Sequence, residues 1–174
     1  MKKIIYLVSL FFLIPCLVQA QVGEDPKVQA KTFTQTFYNW YLEKGKNRSM
    51  DDVLLKKKEV LSPTLYKALK ADRDAQAKVP GEIVGLDFDP FLGGQDVAQR
   101  YFVADATLKG NTYWFPLYAW WNGEKPKKPE LKAEVQCQAN GCQFVNFHYD
   151  PQGSSENENL LSVLKVLAKD RQKH

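Results

Sequence analysis

Asp87, Asp89, Gln95 and Asp96 crowd oxygen-bearing side chains into one short segment, GLDFDPFLGGQD, from Gly85 to Asp96. Calcium takes about 6–8 oxygen ligands, so the set could contribute to a cation site. The spacing is not that of an EF-hand loop, which a glutamate would close. In an extended segment Asp87 and Asp89 would point the same way, roughly 6.6 Å apart. That falls within the roughly 5–9 Å over which a carboxylate pair cleaves a glycosidic bond. No sugar-stacking strip accompanies them; Trp114, Trp120 and Trp121 read better as core or interface residues. Aspartates beside Pro90 and the Gly93-Gly94 pair also bond backbone amides readily, which would fix the loop against Phe88 and Phe91. His148 is the only internal histidine. It could act as a general base with Asp87 or Asp89, or sit as a hydrogen-bonded structural group. No nucleophile-elbow sequence supports serine catalysis. The residues therefore assign no catalytic, cofactor or metal site. Asp87, Asp89, Gln95 and Asp96 stand as a loop for a partner or ligand.

The amino terminus points to export. Lys2 and Lys3 precede an apolar run from Ile4 to Ile14, Pro15 breaks it, and Val18-Gln19-Ala20 offers small residues for cleavage. The run is too short for a bilayer, which takes about 20 apolar residues, and no later segment approaches that length. Cys16 would be a lipidation site, but Pro15 fits badly before it. Residues 1–20 thus read as a signal peptide, and 21–174 as one domain able to bury a core. Losing Lys2 and Lys3 takes the formal charge from +4 to +2. The clusters Lys56-Lys57-Lys58 and Lys125 to Lys128 lack the aromatic interleaving of a single-strand binder, so nucleic acid is set aside. Cleavage also removes Cys16 and leaves Cys137 and Cys142. Two cysteines in an oxidising space normally pair. Half of a zinc site exists in CxxxxC, but no second half does, and no cofactor is expected.

Helical patterns fill the first half and strand patterns the second. Asp25-Pro26 is a cap-then-N1 start, followed by Ala30, Phe33, Phe37 and Trp40 or Tyr41 at helical spacing. A short second helix fits Ser49 to Glu59, and Ser62-Pro63 starts a third through Leu65, Ala68, Leu69 and Asp72. Arg100 to Leu108 alternates, with Phe102, Ala104, Ala106 and Leu108 on one side. Tyr113 to Trp121 is apolar on both faces, as in a covered central strand or a dimer contact. Pro116 within it argues for a bulge or an edge. Leu131 to Cys137 and Cys142 to Tyr149 form a hairpin around Asn140-Gly141, and Asn159 to Lys169 a last helix with Leu160, Val163, Leu164 and Leu167 inward.

The hairpin contains a conflict of register. A four-residue loop sets Cys137 opposite Cys142, where a disulfide can form. A three-residue loop instead pairs Val135 with Val145, Ala133 with Phe147 and Leu131 with Tyr149, which suits the apolar residues. A bulge just after Cys142 would satisfy both. Closing so short a loop contributes only about 2 kcal/mol, so the disulfide pins the turn rather than the fold.

Helices followed by a meandering antiparallel sheet make an α+β pattern. The blocks FYNWYL (Phe37 to Leu42), LSPTLYKAL (Leu61 to Leu69) and GLDFDPFLGGQD, in that order, resemble the DUF3828 family of exported bacterial proteins. That family is similar to the nuclear-transport-factor-2-like, or cystatin-like, cone fold (NTF2-like). The resemblance covers most of residues 33–149, and the acidic loop is its most specific element. It implies N-terminal helices packed on a curved antiparallel sheet, a short C-terminal helix, a conical cavity, and often a homodimer through the outer sheet face. It implies no reaction. Enzymes that share the cone usually hold an Asp–His or Tyr–Asp pair in the cavity.

The function expected is an exported, noncatalytic binding or accessory protein of the bacterial envelope, periplasmic or secreted. Its partner would be an envelope protein or a small apolar ligand, and an immunity-like role toward a secreted protein belongs to this class. The alternative is a small periplasmic hydrolase or isomerase using Asp87 or Asp89 with His148.

Overall fold

A computed structural model describes residues 25–43, 45–124, 126–149 and 158–173. The expected signal segment lies outside them. Helices α1 (Pro26–Tyr41), α2 (Met50–Lys56) and α3 (Pro63–Gln76) precede five strands: β1 (Arg100–Val103), β2 (Thr107–Lys109), β3 (Thr112–Trp120), β4 (Leu131–Gln138) and β5 (Gly141–His148). Helix α4 (Leu160–Asp170) follows. All strand pairs are antiparallel, in the order β1-β3-β4-β5, with β2 also on β3. The α+β expectation is met.

The capping signals act where the sequence placed them. The Asp25 carboxylate accepts from the Lys27 amide, with Pro26 in the first turn of α1. Ser62 caps α3 by accepting from the Leu65 amide. Helix α1 then lays Ala30, Phe37, Tyr38 and Tyr41 on the inner face of the sheet. Phe37 alone touches the rings of Tyr38, Tyr41, Phe91 and Phe144, and Phe91 meets Phe147. Those rings occupy the space between α1 and the sheet.

Two strand readings change. The Arg100–Leu108 run breaks at Ala104–Ala106, and its core face is Tyr101 and Val103, not the Phe102 side. Phe102 is 59% exposed on the outer face, cross-strand from Tyr118. That break also explains Pro116. The Ala104 amide donates to its carbonyl at 3.0 Å. In an antiparallel ladder a residue's N–H and C=O face the same neighbour, so the missing donor falls on the broken side and costs β4 nothing.

The hairpin reconciles the disulfide with apolar pairing, but its bulge lies three residues beyond Cys142 instead of just after it, so Val135 pairs with Phe144 and not Val145. Cys137 lies opposite Cys142 and the two form a disulfide, while Ala133 pairs with Phe147. The register shifts between Glu134 and Val135, because the partner residue jumps from Asn146 to Phe144. Val145 is the bulged residue.

The outer edges of β1 and β5 are partly covered, while β2 pairs only with β3 and is exposed at all three residues. The Gln35 carboxamide donates to the Tyr101 carbonyl and accepts from the Val103 amide, each at 3.2 Å, as a neighbouring strand would. On β5, Ser62 donates to the Phe144 carbonyl and Asn159 bridges His148.

Candidate functional site

The acidic loop is bound into the core through four tyrosines. Tyr38, Tyr101 and Tyr149 donate to the carbonyls of Phe91, Leu92 and Pro90 at 2.7, 2.9 and 2.9 Å. Tyr41 donates to Asp89 Oδ2 at 2.6 Å. Asp89 Oδ1 accepts from the Phe91 and Leu92 amides at 2.9 and 3.2 Å. A loop buried under aromatic rings must satisfy its backbone polar groups within the protein, and these bonds do so. Burial pushes the Asp89 carboxyl up, against the three donors that favour its ionised form. Burial and the nearby Asp89 charge drive the Tyr41 phenol up in turn.

The other loop residues do not join Asp89. Asp87, Gln95 and Asp96 are exposed, and the Gln95 amide donates to the Asp87 carbonyl at 3.0 Å. Among the described residues, no group of three or more histidine, cysteine, aspartate or glutamate side chains could hold a metal ion. The loop does use Asp72, which the sequence marked only as a helix position. Its buried carboxylate accepts from the Leu86 amide at 3.0 Å and pairs with Arg171 at 2.6 Å. A side chain on Gly85 would put its Cβ 2.8 Å from Asp72 Oδ2, so close approach requires that glycine.

His148 lies elsewhere. Successive strand residues face opposite sides, and Phe147 packs on Phe91, so His148 points to the outer face. The proposed pairing of Asp87 or Asp89 with His148 is therefore not made. The partner of His148 is Glu134, at 2.9 Å between Nε2 and Oε2. Thr112 donates to Glu134 Oε1 at 2.9 Å, and the Trp114 indole donates to Thr112 at 3.1 Å. The Trp114 ring stacks on His148 with centroids 3.8 Å apart, and Lys109 Nζ sits 3.8 Å from the Trp114 centroid. Burial pushes the Glu134 carboxyl up, but donors from His148, Thr112 and Trp114 outweigh it and hold Glu134 below the usual carboxylate range. His148, only 8% exposed, is a hydrogen-bonded residue of this network.

Two surfaces flank that network on the outer face. On the β1 side, Phe102, Ala104, Tyr118, Trp120, Pro126 and Lys127 line an open groove of about 510 Å³. Arg100 lies over the Trp120 ring at 4.4 Å. On the β5 side, Glu134 lines a polar groove of about 620 Å³ between the hairpin and the start of α3. The sequence signalled the first surface in the double-faced apolar pattern around Tyr118 and Trp120. Glu134 was missed: an isolated glutamate in an alternating strand carries no motif.

No protein-family model matches the chain, and no curated protein matches it. Among solved structures it is similar to chains of the type VI effector–immunity complex Tae3-Tai3 from Ralstonia pickettii. One shares 15% identity over 69% of this chain and 94% of that chain, with a TM-score of 0.48. A selenomethionine form of the complex gives 15% identity, 69% and 95% coverage, and a TM-score of 0.45. Likeness at that level leaves function to the residues themselves.

Proposed function

We propose that this chain is an exported, noncatalytic binding module of the bacterial envelope that holds a protein partner on the outer face of its sheet. The observation that carries the reading is a strip formed by exposed Phe102 and half-buried Tyr118 and Trp120, flanked by Arg100 and Lys127. Aromatic residues and arginine are the side chains that dominate protein interfaces energetically. The covered edges of β1 and β5 support docking on the face rather than strand addition at those strands. A disulfide in the hairpin supports an oxidising compartment. The chemistry of the acidic loop supports a noncatalytic reading, since Asp89 spends its oxygens on Tyr41 and two backbone amides.

The same reading covers an immunity-like or accessory role toward a secreted protein. It also includes the DUF3828 and NTF2-like resemblance as one of fold. Two of the blocks that carry the resemblance bond to each other, through Tyr38 to Phe91 and Tyr41 to Asp89. Such blocks preserve a core and leave the outer face to set the partner.

A photo-reactive amino acid placed at Phe102 tests the proposal in cells that make the protein, with Val166 on α4 as an exposed control. A cross-link to one distinct protein from position 102 alone is the expected result. Cross-linking to a second copy would assign the face to a homodimer, and equal absence at both positions would reject a docked protein there.

A further inference from the structure

Holding Glu134 with His148, Thr112 and Trp114 does more than satisfy a half-buried carboxylate, because the side chain still lines the polar groove. Thr64, Gln136, Gln138, Asn140 and Gln143 supply most of the groove's polar wall, and Pro63, Val145 and Leu161 an apolar part. Their chemistry narrows the occupant by elimination. Among the described residues lining the groove none is lysine or arginine, so an anion has no counter-charge. None is aromatic, and the Trp114 ring behind Glu134 is already covered by His148 and Lys109, so a flat aromatic ligand has no ring to stack on. What remains abundant is the carboxamide, which presents a donor and an acceptor side by side, and one fixed acceptor of hydroxyl protons.

We propose that this groove binds a neutral, hydroxyl-rich ligand, an oligosaccharide, with Glu134 as its fixed hydrogen-bond acceptor. Neighbouring ring hydroxyls each offer a donor and an acceptor, which Gln136, Gln138, Asn140 and Gln143 match in kind. Hydrogen bonds to an ionised acceptor are roughly twice as strong as neutral ones, so one carboxylate fixed in place by its neighbours orients the sugar. The groove's volume lies within the roughly 300–1,000 Å³ of small-molecule sites. The site stands apart from the Phe102 strip, and either can hold without the other.

Titration calorimetry and saturation-transfer NMR with an N-acetylglucosamine tetramer and a glucose tetramer test it. Binding of at least one probe by the wild type is expected, weakened about tenfold or more in Glu134→Gln. The double variant Gln136→Ala, Asn140→Ala should lose binding similarly, and its surface positions leave folding intact. Phe102→Ser should bind as the wild type does. Failure of both probes at millimolar concentration overturns the proposal. So does binding that survives in both groove variants, or binding lost in Phe102→Ser alone, which would move the sugar to the aromatic strip.

Discussion

Asp89 and Glu134 are both carboxylates removed from bulk water and held by several donors, yet their protons are drawn in opposite directions. Asp89 lies among Tyr41, Phe91 and the rings of the inner face, where desolvation dominates and raises its pKa. Glu134 lies on the outer face, where His148, Thr112 and Trp114 dominate and lower it. The difference follows from what each oxygen serves. Asp89 closes backbone donors of its own loop, and its value is structural. Glu134 is held by side chains from neighbouring strands and keeps a groove in view, the arrangement of a recognition group.

Substitutions can break that contrast, and the largest effect belongs to Asp89. Asp89→Ala strands the Phe91 amide and the Tyr41 hydroxyl and leaves the Leu92 amide only the Asp89 backbone carbonyl, and should cost about 2–3 kcal/mol in denaturant unfolding. Asp89→Asn keeps an acceptor for the amides and should cost much less. If alanine proves no worse than a surface substitution, the loop is not the core fastening described above.

Glu134→Gln comes next, at about 1 kcal/mol near neutral pH. The sign with pH distinguishes it. A carboxyl whose folded pKa is depressed contributes stability that is full above its unfolded value, about 4.3. That contribution is lost as pH falls through the folded value. The gap between wild type and Glu134→Gln should therefore narrow as unfolding is measured from pH 7 down to pH 3. A gap that widens on acidification would contradict the electrostatics assigned to the outer face.

Phe102→Ser should move stability least, within about 0.5 kcal/mol, because the ring is mostly in solvent and removes no core contact. Its effect belongs to partner binding alone. A large loss of stability would show that the strip is part of the core and not a surface awaiting a partner.

Legibility followed the range of the interactions. The caps at Asp25 and Ser62, the aromatic face of α1 and the hairpin were readable because each depends on residues a few positions apart. The need for a bulge was readable, but its place was not: it falls at Val145 rather than just after Cys142. The face of β1 was not. Tyr101 and Val103 alternate with Phe102 and Ala104, both sets are apolar, and only the position of α1 decides which set is covered. His148 likewise could be placed on the polar side of its strand, but its partner lies on the adjacent strand at a bulged register.

The sequence by itself determined the order of helices and strands and the pairing of Cys137 with Cys142, because local spacing and turn chemistry fix these. Tertiary structure alone decided that four tyrosine hydroxyls would meet at Asp89 to Leu92, and that Glu134 would be fastened by His148 and Thr112. Those contacts join residues from separate elements, and their geometry exists only once the sheet has set its register and α1 has covered one side of it.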